Sequence, residues 1–197
     1  GKAAKLSTDE ISEYGSLIHE SSQKLLNLIE NLLHWSRSQT GKLKLNPKAI
    51  FIDEIVNEIV GLHEIHANSK RITLENNINQ PMKAFADYDT ISTVIRNLVS
   101  NAIKFTEENG SIIINASEEA DKIIIKISDT GVGIKPHNID KLFKIEESFS
   151  TKGTGMESGT GLGLIVCKEF VEKNNGDISV ESQVGEGTAF TIILPAG

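Results

Sequence analysis

From about Ser7 to Ser38 the chain carries no proline and repeats apolar residues at heptad spacing. Ile11, Ile18, Leu25 and Leu32 occupy one seam position, and Tyr14, Ser21, Leu28 and Trp35 the other. Leu17, Leu26, Ile29 and Leu33 widen the stripe beyond a two-stranded seam, so the helix is expected to touch more than one neighbour, as in a four-helix bundle. Ser7-Thr8-Asp9-Glu10 is its entry signal and Thr40-Gly41 its exit. The following KLKLNPKAIFI alternates around Pro47 and reads as a short strand or extended linker, which places a domain boundary near residue 42. Beyond it the pattern predicts helices at about 52–69, 89–105 and 161–174. Strands are predicted at 71–76, 83–86, 111–117, 122–128, 177–183 and 188–194, with a long irregular segment before the last helix. The Ile112–Ile114 and Ile123–Ile125 runs, joined through Ser117 to Asp121, form one expected hairpin. Val180 and the 189–194 run, with Gly185 and Gly187 between them, form another. Hairpins on one side and three helices on the other make a two-layer α/β sandwich, an α+β fold with a mixed sheet.

Composition narrows the function. The 197 residues carry 20 Lys+Arg against 27 Asp+Glu, a net charge of -7, so neither nucleic acid nor an anionic membrane surface is an expected partner and any anionic ligand must be met locally. A single cysteine excludes an internal disulfide framework, and Cys167 among Leu164, Ile165 and Val166 reads as a buried, inert thiol. No apolar run is long enough to span a bilayer. The start, GKAAKLSTDE, has neither signal-peptide order nor an initiator Met and reads as excised from a longer protein.

Seven of the 16 glycines fall between Asp129 and Gly163, where periodicity fails. A merely flexible surface loop is the plain reading, but long structureless stretches in compact domains are usually functional. Gly159-Thr160-Gly161-Leu162-Gly163-Leu164 runs straight into an apolar helical stretch, and free amides at a helix N-terminus bind phosphate. The spacing matches neither a P-loop nor a dinucleotide fingerprint, and the protein-kinase signatures are missing.

Four segments, NLVSNAIKFT at 97–106, DTGVGI at 129–134, KLFK at 141–144 and GTGLGL at 159–164, resemble in order and spacing the N box, first glycine box, F box and second glycine box of sensor histidine kinases. VGEGTAFTIILP resembles that family's closing hairpin. The resemblance implies a Bergerat ATP-binding fold over 42–197, related to gyrase-type ATPases and Hsp90 chaperones, with ATP and Mg²⁺ as cofactors. Asn97, Asn101 and Lys104 share one helical face; alone this row would pass for a solvated surface. An Asn oxygen can serve magnesium and a Lys ammonium a phosphate, and the resemblance assigns Asn101 to the metal and Lys104 to the phosphates. Asn97 and Lys104 are the expected catalytic pair. Asn97 stands where gyrase-type ATPases have a glutamate base, and an amide cannot take a proton from water, which favours transfer to another acceptor over hydrolysis. Asp129, otherwise a turn-forming residue, is expected to accept the adenine amine, with Gly131 and Gly133 letting the backbone close around the ligand. The resemblance implies that Thr188 supports the adenine edge, that Phe143, otherwise a plain packing anchor, fixes the polar segment over nucleotide, that Lys152 adds a phosphate contact or is simply solvated, and that Gly159, Thr160, Gly161, Leu162 and Gly163 line the phosphates.

The five histidines, His19, His34, His63, His66 and His137, lack a phosphoacceptor context. His19-Glu20 is followed by Ser21-Ser22-Gln23-Lys24 without Pro, and LLNLIENLLHWSRSQTGKLKL resembles the second helix of a dimerisation domain, whereas the acceptor lies on the first. The resemblance therefore implies that residues 1–41 are part of a dimerisation and phosphotransfer domain and that the acceptor helix lies upstream. It further implies a homodimer through the N-terminal helix, a response regulator receiver domain as partner, no direct membrane contact from this segment, and a cytoplasmic location. The chain alone is not expected to phosphorylate itself. A second reading is an ATP-sensing module or pseudokinase without phosphotransfer; an ATPase or protein-serine kinase of the same superfamily is disfavoured by Asn97 and by the bundle helix.

Overall fold

The computed structural model describes residues 44–144, 153–155 and 161–197, together with Ser7, Tyr14, Gly15, Ile18, Ser22, Leu25 and Ile29. The chain divides into two compact units, Gly1–Leu43 and Lys44–Gly197. In the first, Tyr14, Gly15, Ile18, Ser22, Leu25 and Ile29 are helical.

The second unit runs β1 (Lys48–Phe51), α1 (Ile52–Ser69), β2 (Thr73–Asn76), β3 (Lys83–Ala86), α2 (Tyr88–Phe105), β4 (Ser111–Glu119), β5 (Lys122–Asp129), α3 (Pro136–Ile139), α4 (Gly163–Lys173), β6 (Asp177–Gln183) and β7 (Gly187–Pro195). Five strands form one sheet in the order β2-β4-β5-β7-β6. β2 lies parallel to β4 and the remaining pairs are antiparallel, so both expected hairpins are present. Alternation decides which face is buried: Ile112, Ile114, Ile123, Ile125, Ile127, Ile192 and Leu194 are at most 1% exposed, while Ile113, Ile124 and Ile193 face the other way and are half-buried. Over the buried face lie the apolar sides of α1, α2 and α4, including Ile95, Leu98, Val99 and Phe170. This is the expected two-layer sandwich.

Several boundaries differ from the sequence pattern, each for a backbone reason. Arg71 has φ 54°, which no strand residue adopts, so β2 begins at Thr73. Ala120 and Asp121 both have positive φ and make a two-residue turn of the kind that suits strand twist, so β4 runs through Ser117 to Glu119. Gly161 at φ 74° lies outside α4, which starts at Gly163. β3 leaves the main sheet to pair antiparallel with β1, Ala49 opposite Phe85. The one-turn helix α3 lies within the segment read as irregular, with Pro136 at its start, a position where proline's missing N–H does no harm.

Candidate nucleotide site

α2 carries the N box, and its start is fixed by a buried polar cluster. The Asp87 carboxylate accepts Thr90 N at 3.0 Å, Thr90 Oγ1 at 2.9 Å and Asn46 N at 2.9 Å. Burial would raise its pKa, but these hydrogen bonds outweigh it and hold the group below the ordinary carboxylate range. Asn174, 2% exposed, joins the cluster from the end of α4: its Oδ1 accepts Asp87 N at 2.7 Å, and its Nδ2 donates to Thr90 Oγ1 at 3.0 Å and Phe170 O at 2.8 Å. The helix bearing the N box and the helix after the second glycine box are thereby tied end to end.

With Ile95, Leu98, Val99 and Ala102 all buried in the core, Asn97, Asn101 and Lys104 fall on the half-buried side. Asn97 Nδ2 donates to Thr93 O at 3.0 Å, and its Oδ1 faces the start of α4, where a Cβ on Gly163 would stand 3.3 Å away. Residues 66 positions apart thus meet. The Lys104 ammonium lies 4.7 Å from the centroid of the Phe105 ring. Leu162, the residue before α4, makes no side-chain cap bond to the first-turn amides.

The first glycine box is held just as firmly. Asp129 ends β5 opposite Thr188 in β7. Its Oδ1 accepts both Gly131 N at 2.9 Å and Thr188 N at 3.2 Å. Burial pushes the carboxyl up to about 6, against the pull of those two amides. The Thr188 hydroxyl pairs with Ser182 Oγ at 2.9 Å, and Ser182 Oγ in turn accepts Ile134 N at 2.8 Å, so the loop after Asp129 is fastened to the β6–β7 hairpin. Gly131 and Gly133 let the backbone pack closely on neighbouring segments of the protein. A Cβ on Gly131 would collide with Phe105 O, and one on Gly133, at φ 68°, with Gln183 O. Val132 N donates to Phe105 O at 3.1 Å, which joins this loop to the end of α2. Phe143 of the F box turns its ring toward α4, where Lys168 Nζ lies 5.7 Å from the centroid.

Lys152, Gly159 and Thr160 lie outside the described residues, as do His19 and His34. Cys167 is fully buried with its thiol pushed up to about 12, in keeping with an inert role. Burial also lowers the pKa of His63, whose ring nitrogen bonds Ile59 O at 3.0 Å. Among the described residues no group of three or more His, Cys, Asp or Glu is placed to hold a metal ion, and no helix is long and apolar enough to cross a membrane. Asn174, Ser182, Lys70 and Thr154 were not singled out from the sequence. Only Asn174 carries a local cue, the turn-prone Asn175-Gly176 that follows it.

Residues 86–197 match the family described as histidine kinase-, DNA gyrase B-, and HSP90-like ATPase. The chain belongs to this family. It is 33% identical over 191 residues to the circadian input-output histidine kinase CikA of Synechococcus elongatus, covering 95% of this chain and 25% of that protein. The chain therefore spans about a quarter of the length of this curated relative. Among solved structures, full-length ShkA in complex with AMPPNP superposes with a TM-score of 0.78 at 25% identity, over 98% of this chain and 40% of ShkA. The catalytic domain of histidine kinase ThkA aligns with a TM-score of 0.66 at 29% identity, over 77% of this chain and 97% of that domain. The five-stranded sheet with its covering helices is the histidine kinase ATPase fold.

Proposed function

We propose that the Lys44–Gly197 unit binds Mg-ATP and transfers the γ-phosphoryl group to a histidine on a helix upstream, as the catalytic part of a two-component sensor histidine kinase. The phosphoryl group would then pass to the aspartate of a response regulator receiver domain. One observation carries the reading: Asp129, Gly131 and Thr188 are bonded into one cluster, that cluster is joined to the end of α2, and Asn97 two turns earlier faces Gly163 at the start of α4. Two turns of helix span about 11 Å, a suitable separation for the base and phosphate ends of one nucleotide. Asp129 Oδ1 is committed to two amides, and Oδ2 is left for the exocyclic amine of adenine. At the other end, first-turn amides of α4 without a side-chain cap suit phosphate oxygens, and Lys104 supplies the positive charge.

The donor set also fits magnesium. With no acidic cluster among the described residues, a divalent ion would rely on the neutral oxygen of Asn101 and on phosphate oxygens, which suits an ion that keeps several of its waters. When bound, Mg²⁺ would neutralise charge on the phosphates. Asn97 has no proton-accepting group, so it orients rather than activates water, and an acceptor outside this unit receives the phosphoryl group. Calorimetry should give binding of a non-hydrolysable ATP analogue that needs Mg²⁺. γ-labelled ATP should leave this chain unlabelled, yet give acid-labile, base-stable phosphate once the upstream helix is included. Absence of nucleotide binding would reject the proposal, and label removed by His19→Ala would reject the upstream acceptor.

A further inference from the structure

The last four carbonyls of any α-helix need partners from outside it. At the end of α2 each finds one. Ala102 O accepts Thr106 N at 2.9 Å and its hydroxyl at 2.7 Å, and Phe105 O accepts Val132 N at 3.1 Å. Lys104 O accepts Thr154 N at 3.0 Å, and Ile103 O accepts the Lys70 ammonium at 2.7 Å. Lys70 stands just past α1, in the turn before β2. The same ammonium reaches Thr154 Oγ1 at 2.7 Å and approaches Lys104 O at 3.4 Å, while the Thr154 hydroxyl lies 3.1 Å from Lys104 O and 2.9 Å from Thr106 O.

A lysine at a helix C-terminus ordinarily stabilises by offsetting the dipole. Here it also binds a residue 84 positions away, one that is itself bonded to the same helix end. The chain at 153–155 lies between the F box and the second glycine box, and its fastening point is the backbone of Lys104, the residue assigned to the phosphates. We propose that Lys70 and Thr154 form a latch that positions Lys104 and the 153–155 segment for the phosphate end of the nucleotide. Lys70 is a positioning residue, acting through Thr154 and the α2 carbonyls without touching the ligand. The latch rests on the nucleotide reading above and extends it to residues outside the four boxes. The adenine end is held by Asp129 between β5 and β7 and meets the end of α2 through Val132 N and Phe105 O, a different bond from those of the latch.

The test uses calorimetry of the whole chain with a non-hydrolysable ATP analogue and Mg²⁺. Lys70→Met and Thr154→Val should each weaken binding about tenfold, the scale of one charge-assisted hydrogen bond. The double variant should lose less than the product of the two single losses, because the Lys70–Thr154 bond is removed by either substitution. Lys70→Arg should recover affinity to within about threefold, since a guanidinium can still reach the carbonyls. An NMR titration of the Asp129 carboxyl should be the same in all variants, separating loss of the latch from general loosening. Wild-type binding with Lys70→Met within about threefold of it, or losses that simply add, would overturn the latch alone. Wild type without affinity would overturn the nucleotide reading and the latch with it.

Discussion

At Asp129 the two carboxylate oxygens are not equivalent. Oδ1 is taken by the amides of Gly131 and Thr188, so an asparagine in its place would keep those bonds with its carbonyl oxygen and be forced to present its NH₂ group outward. Asp129→Asn should fold normally, with a melting temperature at neutral pH no lower than that of the wild type, because the amide escapes the burial cost of the carboxylate, and lose about a hundredfold in ATP affinity by calorimetry, because a donor then meets the adenine amine. Protonation should act in the same direction. Burial raises the carboxyl from 3.8 to about 6, so the folded state takes up a proton between those values that the unfolded chain does not. This group's contribution to folding therefore improves as pH falls through about 6, while its ability to accept from adenine declines. NMR titration of the free protein should find the Asp129 midpoint near 6, and bound nucleotide should move it downward.

Among the elements, α2 is the one on which the site depends, and it is positioned at both ends by groups from elsewhere in the chain. Its start is tied through Asp87 and Thr90 to Asn174 at the end of α4. Its last carbonyls meet three other segments, at Lys70, Val132 and Thr154. Removing the Asn174 side chain would leave Asp87 N and Thr90 Oγ1 short of a partner in a buried place, at a cost of about 1–3 kcal/mol. Asn174→Ala should accordingly lower the melting temperature by roughly 2–12 °C for a domain of this size. It should also weaken nucleotide binding less than Asp129→Asn does, since the contacts themselves remain. Differential scanning calorimetry alongside a binding isotherm checks both. The Asp87 carboxyl, held low by its partners, adds stability above its unfolded value near 3.8 that is lost as pH falls through its folded one.

On the scale of the whole chain, the N-terminal unit calls for a partner. Tyr14, Ile18, Leu25 and Ile29 are helical and 51%, 67%, 57% and 44% exposed, and their spacings of four, seven and four put them on one stripe. Such a stripe is not expected to stay in water. We expect two chains to associate through it, in keeping with the bundle that the heptad pattern predicts. Ile18→Glu combined with Leu25→Glu should shift the mass measured by light scattering toward that of a monomer while leaving ATP binding unchanged. An unchanged mass would reject this stripe as the contact.

Most of the fold was legible in the sequence because periodicity reports burial directly. The 18 residues of α1 coincide with the predicted helix, and the isoleucine runs of β4 and β5 announce a sheet buried on one face. The boxes pointed to Asn97, Lys104 and Asp129, and the closing hairpin to Thr188, because their residue types and order are local properties of the chain. The sequence could not reveal that β3 leaves the main sheet for β1, since a four-residue strand carries no mark of its partner. Nor could it tell that Gly131 and Gly133 pack closely on the backbone of Phe105 and Gln183. Lys70, Thr154 and Asn174 look like ordinary loop and helix-end residues in the sequence. Their contacts appear only once the chain brings positions more than 80 apart within hydrogen-bond distance, because unmet polar groups at a helix end take whatever donor or acceptor the tertiary structure delivers.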